Sequence, residues 1–402
     1  MKLERVIGRR TLTILGLNSG TSADSLDMAA VTVRRRGNGI HPSFVAGREK
    51  KLPPALRRAI LDLSSAADVS LDQLVYLDNA LGAFFGKSAA QYIAQLRQAG
   101  TIVHAVASHG QTVRHLPRPG RLGGVSVRGS LQLASLDRIA AATELTTVGD
   151  FRQADIASGG EGAPITGGAM MRLLGGRTRS RLIVNIGGMA NYFYLPKAGS
   201  RLRPVAADCG PGNSLCDILA SELFEKAYDR GGRLSRCGRL SQRLLSLLLA
   251  HPFYRSGRAS TGREEFGLDT ARRIIRIARG LRLRPEDIMR TAAELTTLSI
   301  ASAVWPTVQR DGELSSLYLT GGGRRNRFFV DRLRHHLPDL EIRLIDELGV
   351  DGNLVEAAAF ALLGEACLRS DPLAGRISRP AGKNSEPVLG RIVQPPQRRR
   401  QR

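Results

Sequence analysis

Apolar positions fall in short runs along most of the chain, and longer stretches with helical spacing lie between them. Runs bounded by Gly, Pro or polar residues predict strands over residues 11–17, 28–33, 102–107, 146–148, 181–186, 192–195, 205–207, 317–320 and 341–345. Amphipathic periods predict helices over residues 53–63, 71–98, 214–226, 285–308, 326–336 and 354–368. The helix from Ser214 follows an asparagine in capping position, and the one from Pro285 opens with proline and then acids. Strands that alternate with helices predict an α/β fold.

The pattern repeats. "TILGLNSGTSADSLDMAAVTV" and "RLIVNIGGMANYFYL" share one plan, a strand, a glycine turn with small polar residues and a returning strand. They sit about half a chain apart, so a duplicated α/β domain is the simplest account. "GGRTRS" breaks the pattern and sets the boundary, with an N-terminal domain over 1–179 and a C-terminal domain over 180–370. From Asp371 the chain becomes rich in Pro, Gly and Arg, and residues 371–402 read as a tail without regular structure.

Charge changes the picture more than bulk composition does. Of 402 residues, 42% are hydrophobic and 24% charged, as in ordinary globular proteins, but the net charge is +23. Such an excess fits a nucleic-acid partner, or arginines scattered over a solvated surface. The arginines lie along the whole chain and aromatics make up only 5%, which favours scatter and makes a nucleic-acid partner the weaker reading. Cys209, Cys216, Cys237 and Cys367 are widely spaced, without a CxxC, which argues against a zinc site or a disulfide framework and suits a reducing cytoplasm. The start, "MKLERVIGRR", has no apolar core of a signal peptide, and the longest apolar stretch, residues 244–250, is too short to cross a bilayer.

Candidate chemistry gathers at glycine turns: "NSGTSADSLD", "SGGEGAP", "NIGGMAN", "DCGPGN" and "TGGGRRN". Such turns let backbone N–H groups converge on an anion, and several lead towards a helix N-terminus. Thr21 and Ser22 add hydroxyl donors. Asp24 and Asp27 beside a polyphosphate make sense with a Mg²⁺ between. None of these turns is a Walker A or a GxGxxG motif. "GDFRQADIASGGEGAPI" offers a second kind of site, with Asp150, Arg152 and Asp155 between a strand and a glycine turn. Asp150 and Arg152 can form a structural ion pair. Asp155, expected on a loop leaving a strand end, is the better catalytic candidate. "SHGQT" reads as a strand end, where His109 has a structural reading as a satisfied histidine. Glu264 in "STGREEF" and Glu356 in "LVEAAAF" fit helix caps or dipole partners.

Taken in order, "GTSADSLD", "SHGQTVRH", "GDFRQADIASGGEGAPI", "NIGGMAN", "DCGPGNSLCD", "STGREEF", "TGGGRRN" and "DELGVD…EAAAFALL" resemble the anhydro-N-acetylmuramic acid kinases of the actin/Hsp70/sugar-kinase superfamily. The resemblance spans residues 15–367. It implies a duplicated actin-like ATPase fold, with two domains that close over ATP in a central cleft. Gly20, Thr21, Ser22, Ala23, Asp24, Ser25, Leu26 and Asp27 would form the first phosphate turn, and Gly187 and Gly188 its counterpart. Gly210, Gly212 and Asn213 would join the nucleotide set. Gly321, Gly322, Gly323 and Asn326 would face the adenosine. Asp155 matches the general base, Thr112 and Glu356 match sugar contacts, and Asp24 is the candidate Mg²⁺ ligand. The implied reaction opens a 1,6-anhydro bridge with water and transfers the γ-phosphate of ATP to O6. The product would be N-acetylmuramic acid 6-phosphate, in cell-wall recycling. The implied partners are ATP and an amino sugar, with a second copy of the chain as a further candidate, and no membrane.

The sequence departs from the family pattern at several places. Ser25 replaces a usual glycine, Cys209 a threonine and Ala259 a lysine. "GAPITGG" lacks the usual Pro and His, and a VTGA segment near the C-terminus is missing. A serine at 25 would strain the turn if its φ were positive. These departures define the alternative within the fold, a sugar kinase of other specificity or a nucleotide-binding protein with impaired catalysis.

Overall fold

The computed structural model describes residues 3–37, 39–66, 68–255, 263–373 and 387–397. The chain forms two compact units, one of Met1–Leu173 with Leu354–Arg402 and one of Leu174–Asn353. This differs from the expected limits of 1–179 and 180–370. The first break comes earlier, and the segment from Leu354 returns to the first unit, because its apolar helix packs on the first sheet.

The first unit holds β1 (Thr11–Ser19), β2 (Ser25–Arg36), β3 (Gly39–Lys51), β4 (Ala105–Leu122), β5 (Val125–Leu133) and β6 (Thr147–Gly149). The second holds β7 (Arg181–Ile186), β8 (Met189–Leu195), β9 (Val205–Pro211), β10 (Ser316–Thr320) and β11 (Glu341–Leu344). A last strand, β12 (Arg391–Val393), belongs to the first unit. The first sheet runs β12-β6-β4-β1-β2-β3 with β5 paired to β4, and the second runs β11-β10-β7-β8-β9. In each, the first three strands form an antiparallel meander, and the next strands join the first in parallel. The shared order shows the duplication at the level of topology.

Burial explains which elements the pattern reveals. From Leu12 onward β1 is buried throughout, and β7 is nearly so, which gives continuous apolar runs. β3 is half-buried at best and β5 buries only Ser130 and Leu133, so neither carries such a run, and neither is expected from the sequence. β4 does not end near Ala107. Its parallel pairing ends at Ser108 with β6 and at Gln111 with β1, and it continues as a ribbon with β5. β12 corrects the reading of residues 371–402 as structureless: Ile392 pairs with Val148, and Leu389 is buried beside it. The final basic residues, 398–402, lie outside the described residues.

In the first unit, the Leu71–Gln98 helix packs Leu77, Leu81, Phe85 and Tyr92 against the sheet. In the second, the Pro285–Arg310 helix runs through the core and buries Glu294. Arg332 grips both Glu294 oxygens, at 2.7 and 2.8 Å, and His336 Nε2 lies 2.8 Å away. Burial alone would raise this carboxyl, but the bonds to His336 and Arg332 prevail and hold it down to about 2.

Two outcomes follow. A carboxylate held below its ordinary value of 4.5 stabilises the fold above that pH and loses this contribution as pH falls towards about 2. Acid titration of Glu294→Gln should therefore lack a stability loss that the native chain shows over that window; equal acid profiles would contradict the assignment. Leu389→Ala should cost about 2–3 kcal/mol and speed amide exchange in β6. Unchanged exchange there would mean that β12 is not docked in solution.

Candidate active site

The turn between β1 and β2 sits where expected, and the register pairs Asn18 with Asp27. The Gly20 carbonyl accepts from the Ala23 N–H at 3.0 Å and from Gln111 Nε2 at 3.2 Å. Gln111 Oε1 in turn accepts from the Ser19 hydroxyl at 2.7 Å. The turn is thereby fastened to β4. Ala23, fully buried, is the residue with positive φ (52°). Ser25 is not; it opens β2 and donates its hydroxyl to Asp27 Oδ1 at 2.8 Å. The strain anticipated at Ser25 is absent, and its hydroxyl orients an acid of the turn. Leu26 is buried in the core.

The hydroxyls of Thr21 and Ser22 have no hydrogen-bond partner among the described residues. Gly20 has no positive φ, and a Cβ there would meet no atom within 4 Å. Neither backbone nor packing requires glycine at this position. Close approach of a ligand to an open face is the remaining physical reason for it.

Asp24 is exposed and accepts from Arg57 Nε at 2.9 Å. Among the described residues no group of three or more His, Cys, Asp or Glu is arranged to hold a metal. Asp24 and Asp27 do supply hard carboxylate oxygens beside the open turn. That donor set fits a Mg²⁺ that brings phosphate oxygens and water with it, and does not fit an all-protein cage.

Asp155 is not on a loop. It lies on the Phe151–Ala157 helix and is 4% exposed. Its Oδ2 accepts from the Gly162 N–H at 2.8 Å, and a Cβ on Gly160 would stand 2.1 Å from that oxygen. The glycine turn thus wraps the carboxylate, and glycine at 160 is what lets it come so close. Arg152 is not paired with Asp150 as an ion pair. It donates Nε–H to His109 Nε2 at 3.1 Å and NH1 to the Gly162 carbonyl at 3.1 Å, so it ties β4 to the turn around Asp155. His109 stacks on Phe360 at 4.4 Å. Burial, with the Arg152 charge beside it, holds its pKa well below the ordinary range. The neutral ring accepts at Nε2, while its buried Nδ1 has no hydrogen-bond partner among the described residues, so the histidine is not the fully satisfied one expected.

Glu356 begins the Val355–Leu368 helix and accepts from Asn18 Nδ2 at 3.0 Å. Burial raises its carboxyl, against the opposing effects of Asn18 and Arg152. Thr112 lies inside β4, not at a strand end, and its hydroxyl meets Gln132 Nε2 at 3.5 Å. Asn18, Gln111 and Arg152 bind these elements together; the sequence suggests for Arg152 only an ion pair with Asp150, and for Asn18 and Gln111 no individual role. The available signal for Asn18 and Gln111 is their placement as polar residues at the ends of apolar runs.

In the second unit the remaining turns meet. The N–H groups of Asn213 and Ser214 donate to the Gly187 and Gly188 carbonyls at 2.8 and 3.1 Å, and Asn213 Nδ2 reaches the Ile186 carbonyl at 2.9 Å. Gly212, not Asn213, is the N-cap of the helix Asn213–Phe224. Gly210, next to last in β9, lies beside Tyr254. Gly321, with φ 75°, comes so close to Asn185 that a Cβ would lie 2.3 Å from its Oδ1. Gly323 packs on Ile186, while a Cβ on Gly322 would make an ordinary contact with Asn213 Nδ2 at 3.7 Å. Asn326 caps the Arg327–His336 helix, with its Oδ1 accepting from Phe328 N–H at 3.0 Å. Cys209 is buried beneath these turns. Ala259 and Ser260 to Gly262 of "STGREEF" lie outside the described residues, as does the side chain of Glu264.

The model of the family "Anhydro-N-acetylmuramic acid kinase" matches residues 12–395. A relative of that name from Saccharophagus degradans is 35% identical over 383 residues, 95% of this chain and 98% of its own. One from Coxiella burnetii is 34% identical over 379 residues, 94% of this chain and 96% of its own. One from Ralstonia nicotianae is 35% identical over 389 residues, 94% and 96% of the two chains. The chain belongs to the anhydro-N-acetylmuramic acid kinase family and is a phosphotransferase.

The open face at Gly20 yields a test. Gly20→Ala should fold with an unchanged melting temperature and bind ATP roughly tenfold more weakly or worse, about 1.4 kcal/mol. Native affinity in the variant would show that the turn does not receive the phosphates.

Proposed function

We propose that this chain opens the 1,6-anhydro ring of anhydro-N-acetylmuramic acid with water and phosphorylates O6 in the same reaction. Asp155 acts as general base. It takes a proton from water as the water oxygen bonds to the anomeric carbon, and the bond from that carbon to the bridging oxygen breaks. The freed O6 accepts the γ-phosphoryl group, and ADP leaves. Thr21, Ser22 and the backbone of their turn bind phosphate oxygens. Asp24 and Asp27 would hold a Mg²⁺, which when bound neutralises charge on the transferring group. Glu356 and Thr112 contact the sugar. In the second unit, Gly187 and Gly188 serve the phosphates, and the turn from Gly321 to Gly323 serves the adenosine. The cytoplasm, with its ATP, is the compartment this reading requires.

The observation that carries the reading is the setting of Asp155. Its carboxylate is buried, oriented by the Gly162 N–H, and surrounded by a glycine turn tied through Arg152 to His109. A purely structural Asp155, a tether for the turn, would share this geometry but not its kinetic signature.

Asp155→Asn keeps the size and removes the base. Its kcat should fall by ~10²–10⁴, with ATP affinity little changed. A folded variant with near-normal turnover would sink the assignment. A lower melting temperature with activity largely kept would identify a tether.

A further inference from the structure

The ribbon of β4 and β5 runs on past the parallel sheet, and one of its faces is bare. Leu122 pairs with Val125, Gly120 with Val127 and Leu116 with Gly129, and paired residues share a face. Alternation along β5 puts Leu131 on that face with Val125 and Val127. Leu116, Leu122, Val125, Val127 and Leu131 are all exposed, Leu122 over 81% of its surface. The opposite face is polar and occupied with itself: Ser130 Oγ meets His115 Nδ1 at 3.1 Å and Gln132 Nε2 at 2.6 Å.

Gly120 and Gly129 sit among the bare side chains. Neither has positive φ, and a Cβ on either would meet no atom within 4 Å. Nothing inside the chain calls for glycine there, and the two leave shallow gaps in an apolar face.

The same ribbon lies against the start of the Leu71–Gln98 helix. Arg114, paired with Leu131, donates NH2 to the Ala66 carbonyl at 2.8 Å, shortly before that helix. Asp78 Oδ1, on the helix, accepts from the Ala134 N–H just after β5 at 2.9 Å. Leu71 and Val75, one helical turn apart, are exposed, Leu71 over 77% of its surface. Together the seven exposed Leu and Val side chains of ribbon and helix offer on the order of 700 Å². That exceeds the ~300–600 Å² of the largest patch on a typical monomer and approaches the ~800 Å² per partner of a stable interface.

Charge identifies the occupant. Residues 112–133 hold four arginines and no acid, and residues 59–86 hold four aspartates and no Lys or Arg. Asp68 and Asp72, beside Leu71, are exposed. A basic apolar ribbon and an acidic apolar helix start thus stand next to each other in one chain. A two-fold axis sets each against its complement in a second copy, and both contacts form at once. An anionic membrane would attract the ribbon but repel the helix start beside it.

We propose that this face is the interface of a homodimer. The ribbon of each chain lies on the Leu71 end of the other chain's helix, with apolar side chains inward and the ribbon arginines at the rim towards Asp68 and Asp72. A two-stranded ribbon is marginal by itself, and the second copy supplies the packing it lacks. Two chains of net charge +23 repel each other at long range, so the dimer tightens as salt screens that repulsion.

Sedimentation equilibrium of the full chain should give twice the chain's mass at tens of micromolar. Leu122→Ser with Val125→Ser should give a monomer that keeps its circular dichroism spectrum and its ATP affinity, since neither side chain enters the core or the phosphate turn. Asp68→Lys with Asp72→Lys should weaken the dimer about tenfold or more, and adding Arg118→Glu with Arg121→Glu to that variant should restore it. A native monomer at that concentration would overturn the proposal, as would a dimer that survives the serine changes. Charge reversals whose effects do not offset each other would show that ribbon and helix do not meet. A monomeric native chain that floats with phosphatidylglycerol vesicles would replace the dimer with a membrane surface.

Discussion

Contact between one strand and one helix organises the first unit. The Val355–Leu368 helix crosses β1 at Gly16 so closely that a Cβ there would lie 1.9 Å from the Ala357 carbonyl oxygen and 2.8 Å from the Ala361 nitrogen. The helix meets this with alanines, and its Gly364 comes as close to Ala107 on β4. A larger residue at position 16 would lift the helix from the sheet, and three dependent features would move with it. Glu356 would leave Asn18. Phe360, which stacks on His109 and lies 5.6 Å from Phe151, would no longer support the start of the Asp155 helix. Glu365 would leave Arg35. The apolar faces all around this helix, and its burial along nearly its whole length, follow from its place against the sheet.

The two sheets share a strand order, but their first turns have diverged. In the first unit the turn is fastened from below, through Gln111, and its hydroxyls at Thr21 and Ser22 face no described partner. In the second, the N–H groups of Asn213 and Ser214 at the start of the following helix are spent on the Gly187 and Gly188 carbonyls. That helix start is therefore a strut between turns, and its first amides are not available to an anion. Duplication supplied two glycine turns of one plan, and the hydrogen bonds around each give them different work.

What the sequence made legible follows burial. β7 and the Leu71–Gln98 helix match their predicted limits because core packing dictates an unbroken apolar run or an amphipathic period. β3, β5 and β12 were not legible: two are largely solvated, and the third is a short strand whose partner β6 lies far away in sequence. The same cause misplaced Asp155 on a loop. Phe151–Ala157 is 7 residues, two turns of helix, too short for periodicity to register, and it begins at Asp150 with φ 58°. The turn at Gly20 was legible as a glycine turn between two strands, because apolar runs flank it on both sides. The grouping of Arg152 with His109 and the Gly162 loop was not, because the residues converge from separate segments.

The net charge of +23 also reads differently in the fold. Scatter over a solvated surface describes pairs such as Arg57 with Asp24 and Arg284 with Asp287, where exposed partners gain little from each other. It does not describe the end of β1. There Glu365 is buried in the same helix that carries Glu356, and Arg35, Arg172 and Arg369 share it. A buried carboxylate needs compensation, and Arg35, Arg172 and Arg369 supply it, with Asp371 sharing Arg172 and Arg35. The C-terminal helix seated on Gly16 thus brings two acids to the first sheet, Glu356 held by Asn18 on β1 and Glu365 held by Arg35 on β2.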